Sequence, residues 1–131
     1  MQPNEITSAT IGAAMRVHTA LGPGLLESVY EECLKIELIK NGYDVKQQLY
    51  FPINYEGIEI ETKLVVDLLV NDTIIKELKA VEEVLPIHEV QLLTYMKVLK
   101  KPQGLLINFF TNSITKSMKP FINDFFKELP N

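Results

Sequence analysis

A mixed α/β fold in one domain spanning residues 1–131 is predicted, on three observations. The length suits a single core-forming unit. Stretches of helical apolar spacing alternate with stretches of period-two spacing. A helix-length segment also separates the last two strand-like stretches, which is how parallel neighbours are joined.

Ile6, Ala9, Thr10, Ala13, Ala14 and Val17 recur at helical spacing, so residues 5–20 read as a helix. Gly22-Pro23-Gly24 interrupts it. A second helix is predicted over 25–40, with Leu26, Val29, Tyr30, Cys33 and Ile36 as its core stripe and Glu31, Glu32 and Lys35 solvated. Asn41-Gly42 ends it. Val45, Leu49, Phe51, Ile53 and Tyr55 alternate with polar residues as a half-buried strand, and Pro52 marks it as an edge or a bulge. After a turn at Glu56-Gly57, residues 58–70 read as one long second strand. Asn71-Asp72 turns the chain into a third, 73–81. Pro86 opens a helix to Lys100. The apolar run 104–110 is a strand covered on both faces, and a last helix is predicted over 117–128, capped by Ser117. The predicted order is α-α-β-β-β-α-β-α, with a mixed four-stranded sheet flanked by helices.

With 47% hydrophobic and 23% charged residues, the chain is neither disordered, collagenous nor a coiled-coil rod. One cysteine, Cys33, excludes an internal disulfide and a Cys-rich metal site. No run of eighteen apolar residues and no basic leader occurs, so no membrane span is expected and a cytoplasmic location is. A net charge of -4 means that a polyanionic partner needs a local basic patch or metal ions.

The charges that break the apolar pattern carry the chemistry. Asp67 stands among six aliphatic residues in Leu64–Val70. A buried carboxylate needs a partner, a cation or a proton. In the next strand Glu77 and Lys79 are two apart and share a face. Two neighbouring carboxylates repel unless a cation sits between them, and oxygen ligands suit Mg²⁺ or Mn²⁺. Register decides the matter. A two-residue turn sets Asp67 opposite Lys76, as an ion pair; a three-residue connection, Asn71-Asp72-Thr73, sets it opposite Glu77, as a metal site requires. In the following helix His88, Gln91 and Tyr95 lie on one face, where such groups can position a water or a phosphate oxygen. Glu27 lies at the apolar border of the second helix, and His18 is a further unexplained polar group.

Val17–Tyr30 resembles the signature of the GxxExxY family through Gly24, Glu27 and Tyr30. The similarity continues through 67–70, 77–82, 88–95 and 104–109. That family is grouped with the PD-(D/E)XK nucleases. The resemblance implies a restriction-endonuclease-like core and divalent-metal-dependent hydrolysis of nucleic-acid phosphodiesters, with DNA favoured. Asp67 matches the motif's aspartate, Glu77 and Lys79 its E-x-K, and Gln91 and Tyr95 the Q-x-x-x-Y helix of RecB-like members; Val66 replaces the motif's proline. On this resemblance Asp67, Glu77, the Leu78 carbonyl and Glu27 would hold Mg²⁺ or Mn²⁺. Lys79 would act on the water or the transition state, Gln91 would fix Lys79 or the water, and Tyr95 would touch the phosphate backbone. His18, Tyr30 and His88 would support the site or the substrate.

Lys97, Lys100, Lys101, Lys116 and Lys119 form a modest candidate phosphate patch, or serve only as helix-end charges. Weak contact of this kind suits a homodimer or a targeting protein partner. Two other classes fit the same residues: a catalytically silent module of this fold that binds protein or nucleic acid, and a phosphoesterase acting on small molecules.

Overall fold

The computed structural model describes residues 3–61 and 64–124. Helices α1 (Pro3–Leu21) and α2 (Glu27–Lys40) precede β1 (Val45–Tyr50), β2 (Ile53–Tyr55), β3 (Ile58–Ile60), β4 (Val65–Val70) and β5 (Ile74–Lys79). Helix α3 (Pro86–Val98), β6 (Gln103–Asn108), a 3-10 turn (Thr115–Ser117) and β7 (Lys119–Ile122) follow. The main sheet has the order β1-β4-β5-β6-β7, and β2 and β3 form a separate two-stranded arm. Among the described strands only β5 and β6 pair in parallel; they are the two joined through α3.

Two apolar layers sandwich the sheet. On one face Ile6, Ala13, Ala14 and Val17 of α1 and Tyr30, Leu34 and Leu38 of α2 pack on Leu68, Val70, Ile74, Leu78, Leu105 and Ile107. The Tyr30 ring stacks on Phe109 with centroids 4.4 Å apart. On the other face Leu92, Tyr95 and Met96 of α3 pack on Val66, Leu69, Ile75 and Leu106. Gly104 lets α3 approach the β6 backbone, since a Cβ there would lie 2.7 Å from Met96 Sδ. Val66 and Leu68 fall in opposite layers although they are two apart, so the alternation of β4 breaks at Asp67.

The mixed α/β architecture stands, with four corrections. The strand expected over 45–55 is cut at Phe51-Pro52 into β1 and β2, because a proline cannot donate to a continuing ladder. The strand expected over 58–70 is likewise two, β3 and β4, in different sheets. The sheet has five strands instead of four: where a helix over 117–128 was expected, residues 119–122 are the edge strand β7, in which Pro120 opposes Leu105. Ser117 ends the 3-10 turn and donates to the Asn108 and Ile114 carbonyls, and the rest of the expected helix, from 125, lies outside the described residues. Finally, the buried stripe of α2 is Tyr30, Glu31, Leu34 and Leu38, while Leu26 and Ile36 are exposed. The helix is rolled by about one position from the stripe that apolar spacing favours.

Lys76 is the largest departure from ordinary burial. It faces the α1–α2 layer beside Leu68 and Leu105, is 0% exposed, and among the described residues its Nζ has no hydrogen-bond partner. Burial pushes its amine down to about 7. An unfolded lysine titrates near about 10.4, so between roughly pH 7 and 10 the unfolded chain binds the extra proton and stability is lost as pH falls. Lys76→Met is expected to remove that contribution and to stabilise the protein by about 2–4 kcal/mol at pH 7. Urea unfolding of both proteins across this pH range checks it.

Candidate metal and catalytic site

The site begins where β4 and β5 part. Two left-handed residues, Asn71 and Asp72, with Thr73 as a third connecting residue, set Val70 opposite Ile74 and Leu68 opposite Lys76. Asn and Asp tolerate that conformation better than other side chains. One step further in the same register brings Asp67 across from Glu77. There the backbone ladder stops and the acids take over its donors. The Leu78 N–H donates to Asp67 Oδ2 at 2.9 Å, and the Asp67 N–H donates to Glu77 Oε1 at 3.3 Å. Of the two arrangements left open above, the structure has the three-residue connection. Among the described residues, neither Lys76 nor Lys79 forms an ion pair with either acid.

Glu77 is 5% exposed. Burial and then the charge of Asp67 hold its carboxyl well above the usual carboxylate range, against the opposing hydrogen bond from the Asp67 backbone and the charge of Lys79. A divalent cation between the two acids would relieve the same repulsion. This donor set, oxygen-only and mutually repelling, fits a hard cation. Among the described residues no group of three or more His, Cys, Asp or Glu side chains converges on one point, and the carboxylates brought together are those of Asp67 and Glu77. Mg²⁺ characteristically keeps several waters.

The wall on the α2 side is a cleft of about 560 Å³ lined by Glu27, Ser28, Glu31, Glu32, Gln47, Gln48 and Asp67. Tyr30 braces the loop that leads into its α2 wall. The Tyr30 hydroxyl donates to the Gly22 carbonyl and accepts from the Leu25 N–H, pinning the Gly-Pro-Gly loop just before Glu27 begins α2. Partial burial raises the Glu27 carboxyl, the charge of Lys79 lowers it and that of Asp67 raises it, which puts Glu27 within electrostatic reach of both. Glu31, expected in solvent, is 7% exposed and faces the cleft. Its carboxyl is raised chiefly by burial, and it accepts from Gln47 and Gln48. Gln48 also donates to Asp67 Oδ1. Apolar spacing missed Glu31, Gln47 and Gln48; the exposed Ile36 on the predicted stripe follows from the same roll of α2.

On the α3 side, Tyr95 is nearly buried, edge-on to Phe51 with centroids 5.2 Å apart. Burial and then the charges of Glu77 and Asp67 raise its hydroxyl, so Tyr95 is brought to the acid pair. Gln91 is exposed, and among the described residues no hydrogen bond ties it to Lys79. His88 Nδ1 accepts from the Leu85 N–H at the start of α3, and His18 Nε2 contacts the Thr111 carbonyl at 2.8 Å. Both are engaged with backbone. In the lysine patch, Lys101 pairs with Asp72 and Lys119 with Glu89, while Lys97, Lys100 and Lys116 are exposed.

This arrangement has a counterpart among known families. The model of the PD-(D/E)XK nuclease superfamily matches residues 4–121, and the chain belongs to that superfamily. No curated protein and no solved structure gives a significant match. Nucleases of the superfamily generally use divalent metals. No helix of the described residues is long and apolar enough to cross a membrane.

Because the folded protein holds the Glu77 proton more tightly than the unfolded chain, this group's contribution is fully present below about pH 4.5 and is lost as pH rises through the raised value. Between pH 5 and 7, below the range in which Lys76 acts, Glu77→Gln is expected to reduce the fall of stability with pH. The reduction should approach about 1 kcal/mol per pH unit. Chemical denaturation in metal-free buffer measures it.

Proposed function

We propose that the chain is a divalent-metal-dependent nuclease that hydrolyses phosphodiester bonds in nucleic acid, with DNA as the favoured polymer. The observation that carries the reading is the Asp67–Glu77 opposition at the parting of β4 and β5, with Lys79 two residues further along the same face. The Gly24, Glu27 and Tyr30 arrangement supports placing the chain in the GxxExxY branch, since Tyr30 clamps the loop that presents Glu27.

Asp67, Glu77 and the Leu78 carbonyl would hold Mg²⁺ or Mn²⁺, with Glu27 reaching the ion through water. When bound, such an ion neutralises charge on the phosphate and lowers the pKa of water. Lys79 supplies a positive charge for the water or for the pentavalent phosphorus. Tyr95 closes the α3 side of the acid pair, and exposed Gln91 is left to face substrate one turn earlier. His18 and His88 hold the surrounding backbone. The exposed Lys97, Lys100 and Lys116 would make a thin phosphate patch, which suits a homodimer or a targeting partner.

The test is cleavage of single-stranded, double-stranded and structured DNA and RNA with Mg²⁺ or Mn²⁺. Lys79→Ala is expected to lower the rate by about 10²–10³-fold or more with folding and metal affinity intact. Asp67→Ala is expected to lose both cleavage and metal affinity. Wild-type rates in both variants would sink this site. Metal binding by the wild type with no cleavage of any polymer would leave an interaction module of the same fold.

A further inference from the structure

Gln48 lies in a strand yet has a φ of 50°, in the left-handed region that strands avoid. The β1–β4 pairing skips it: Gln47 opposes Leu68 and Leu49 opposes Val66, with no pair between them. Asp67 is the residue it would have opposed. A non-glycine residue in this conformation is strained, and such strain concentrates at functional sites.

The side chain shows what the conformation achieves. Gln48 Nε2 donates to Glu31 Oε1 at 2.8 Å and to Asp67 Oδ1 at 3.3 Å. A primary amide has two N–H groups, one for each acid, and no charge of its own. The Glu31 anchor is held in turn. Gln47 Nε2 donates to Glu31 Oε2 at 2.7 Å and to Glu32 Oε1 at 2.8 Å, while the Lys35 ammonium donates to Gln47 Oε1 at 3.0 Å. Lysine can only donate, so it takes the amide oxygen and turns the Gln47 nitrogen toward the acids. Lys35, Gln47, Glu31, Gln48 and Asp67 therefore form one oriented chain of hydrogen bonds. Gln48 is held firmly by buried Glu31 and touches Asp67 lightly, which restrains the aspartate's rotation and leaves its lone pairs for a cation.

We infer that Gln48, anchored by Glu31, is a positioning residue that sets Asp67 for metal binding. This rests on the metal-dependent reading above. Partners of this kind behind a ligand are typically worth about 10–100-fold in metal affinity.

The probe is Mn²⁺ alone, measured by calorimetry on the full chain, with cleavage as a second readout. Gln48→Met keeps length and removes both donors; it is expected to weaken Mn²⁺ binding by about 10–100-fold. Excess Mn²⁺ should restore its cleavage, and should not restore that of Asp67→Ala. Gln48→Asn tolerates the left-handed backbone but is one methylene short, so it should behave alike and covers the case in which the methionine variant misfolds. Glu31→Gln should weaken binding in the wild-type background and change it less than about twofold when combined with Gln48→Met, because its effect passes through Gln48. Unchanged or tighter Mn²⁺ binding in both Gln48 variants, or additive losses in the double variant, overturns the inference. If Asp67→Ala binds Mn²⁺ as the wild type does, the metal reading itself fails and takes this role with it. If Asp67→Ala loses binding and the Gln48 variants keep it, only the positioning role fails.

Discussion

Two strands of an antiparallel pair normally exchange backbone hydrogen bonds to their ends. In this protein β4 and β5 stop doing so at Leu68 and Lys76, and the carboxyl groups of Asp67 and Glu77 accept the N–H groups that the ladder no longer satisfies. An unsatisfied buried N–H is expensive, so the parting is tolerable only because acids stand at these two positions. The same substitution of side chain for backbone fixes where the acids point. It also moves Val66 into the layer opposite Leu68, so the kink that exposes Asp67 to the cleft helps to fill the core beneath α3.

The acids meet where β4 and β5 part, between α2 with β1 on one side and α3 on the other. Burial and the charge of Asp67 favour the protonated form of Glu77, and Gln48 donates one neutral amide N–H to Asp67, with no ion pair to a lysine among the described residues. A structural ion pair would have left the pair satisfied and inert. A proton is exchangeable for a metal ion, whereas a packed lysine is not. Lys79 acts on Glu77 and Glu27 through its charge and forms no ion pair among the described residues.

Several features were readable in the chain before any coordinates. Asp67 broke a run of aliphatic residues, and the two-residue spacing of Glu77 and Lys79 put them on one side of a strand. Both are consequences of period-two geometry, which depends on nothing distant. The interruption at Pro52 signalled a bulge or edge but not a change of sheet, and the arm β2–β3 was read as part of longer strands. Strand β7 was hidden because Lys119–Ile122 carries no strong period, and its place is set by backbone pairing with the distant β6. Glu31 was hidden for another reason. Its helix has apolar residues nearly all round, so local spacing leaves its rotation undetermined, and the sheet selects Tyr30, Leu34 and Leu38 as the face to bury.

Composition and pattern were enough to establish a mixed α/β chain with a parallel pair around α3 and an acid, acid and lysine set on adjoining strands, because those properties follow from short-range periodicity. Which register joins the acids, how α2 is rolled, and that Gln48 and Glu31 stand behind Asp67 were settled by packing between segments far apart in the chain. A one-residue slip at Asn71–Thr73 would send Asp67 to meet Lys76. Left-handed backbone at Asn71 and Asp72 and the fit of two apolar layers hold the pairing where it is.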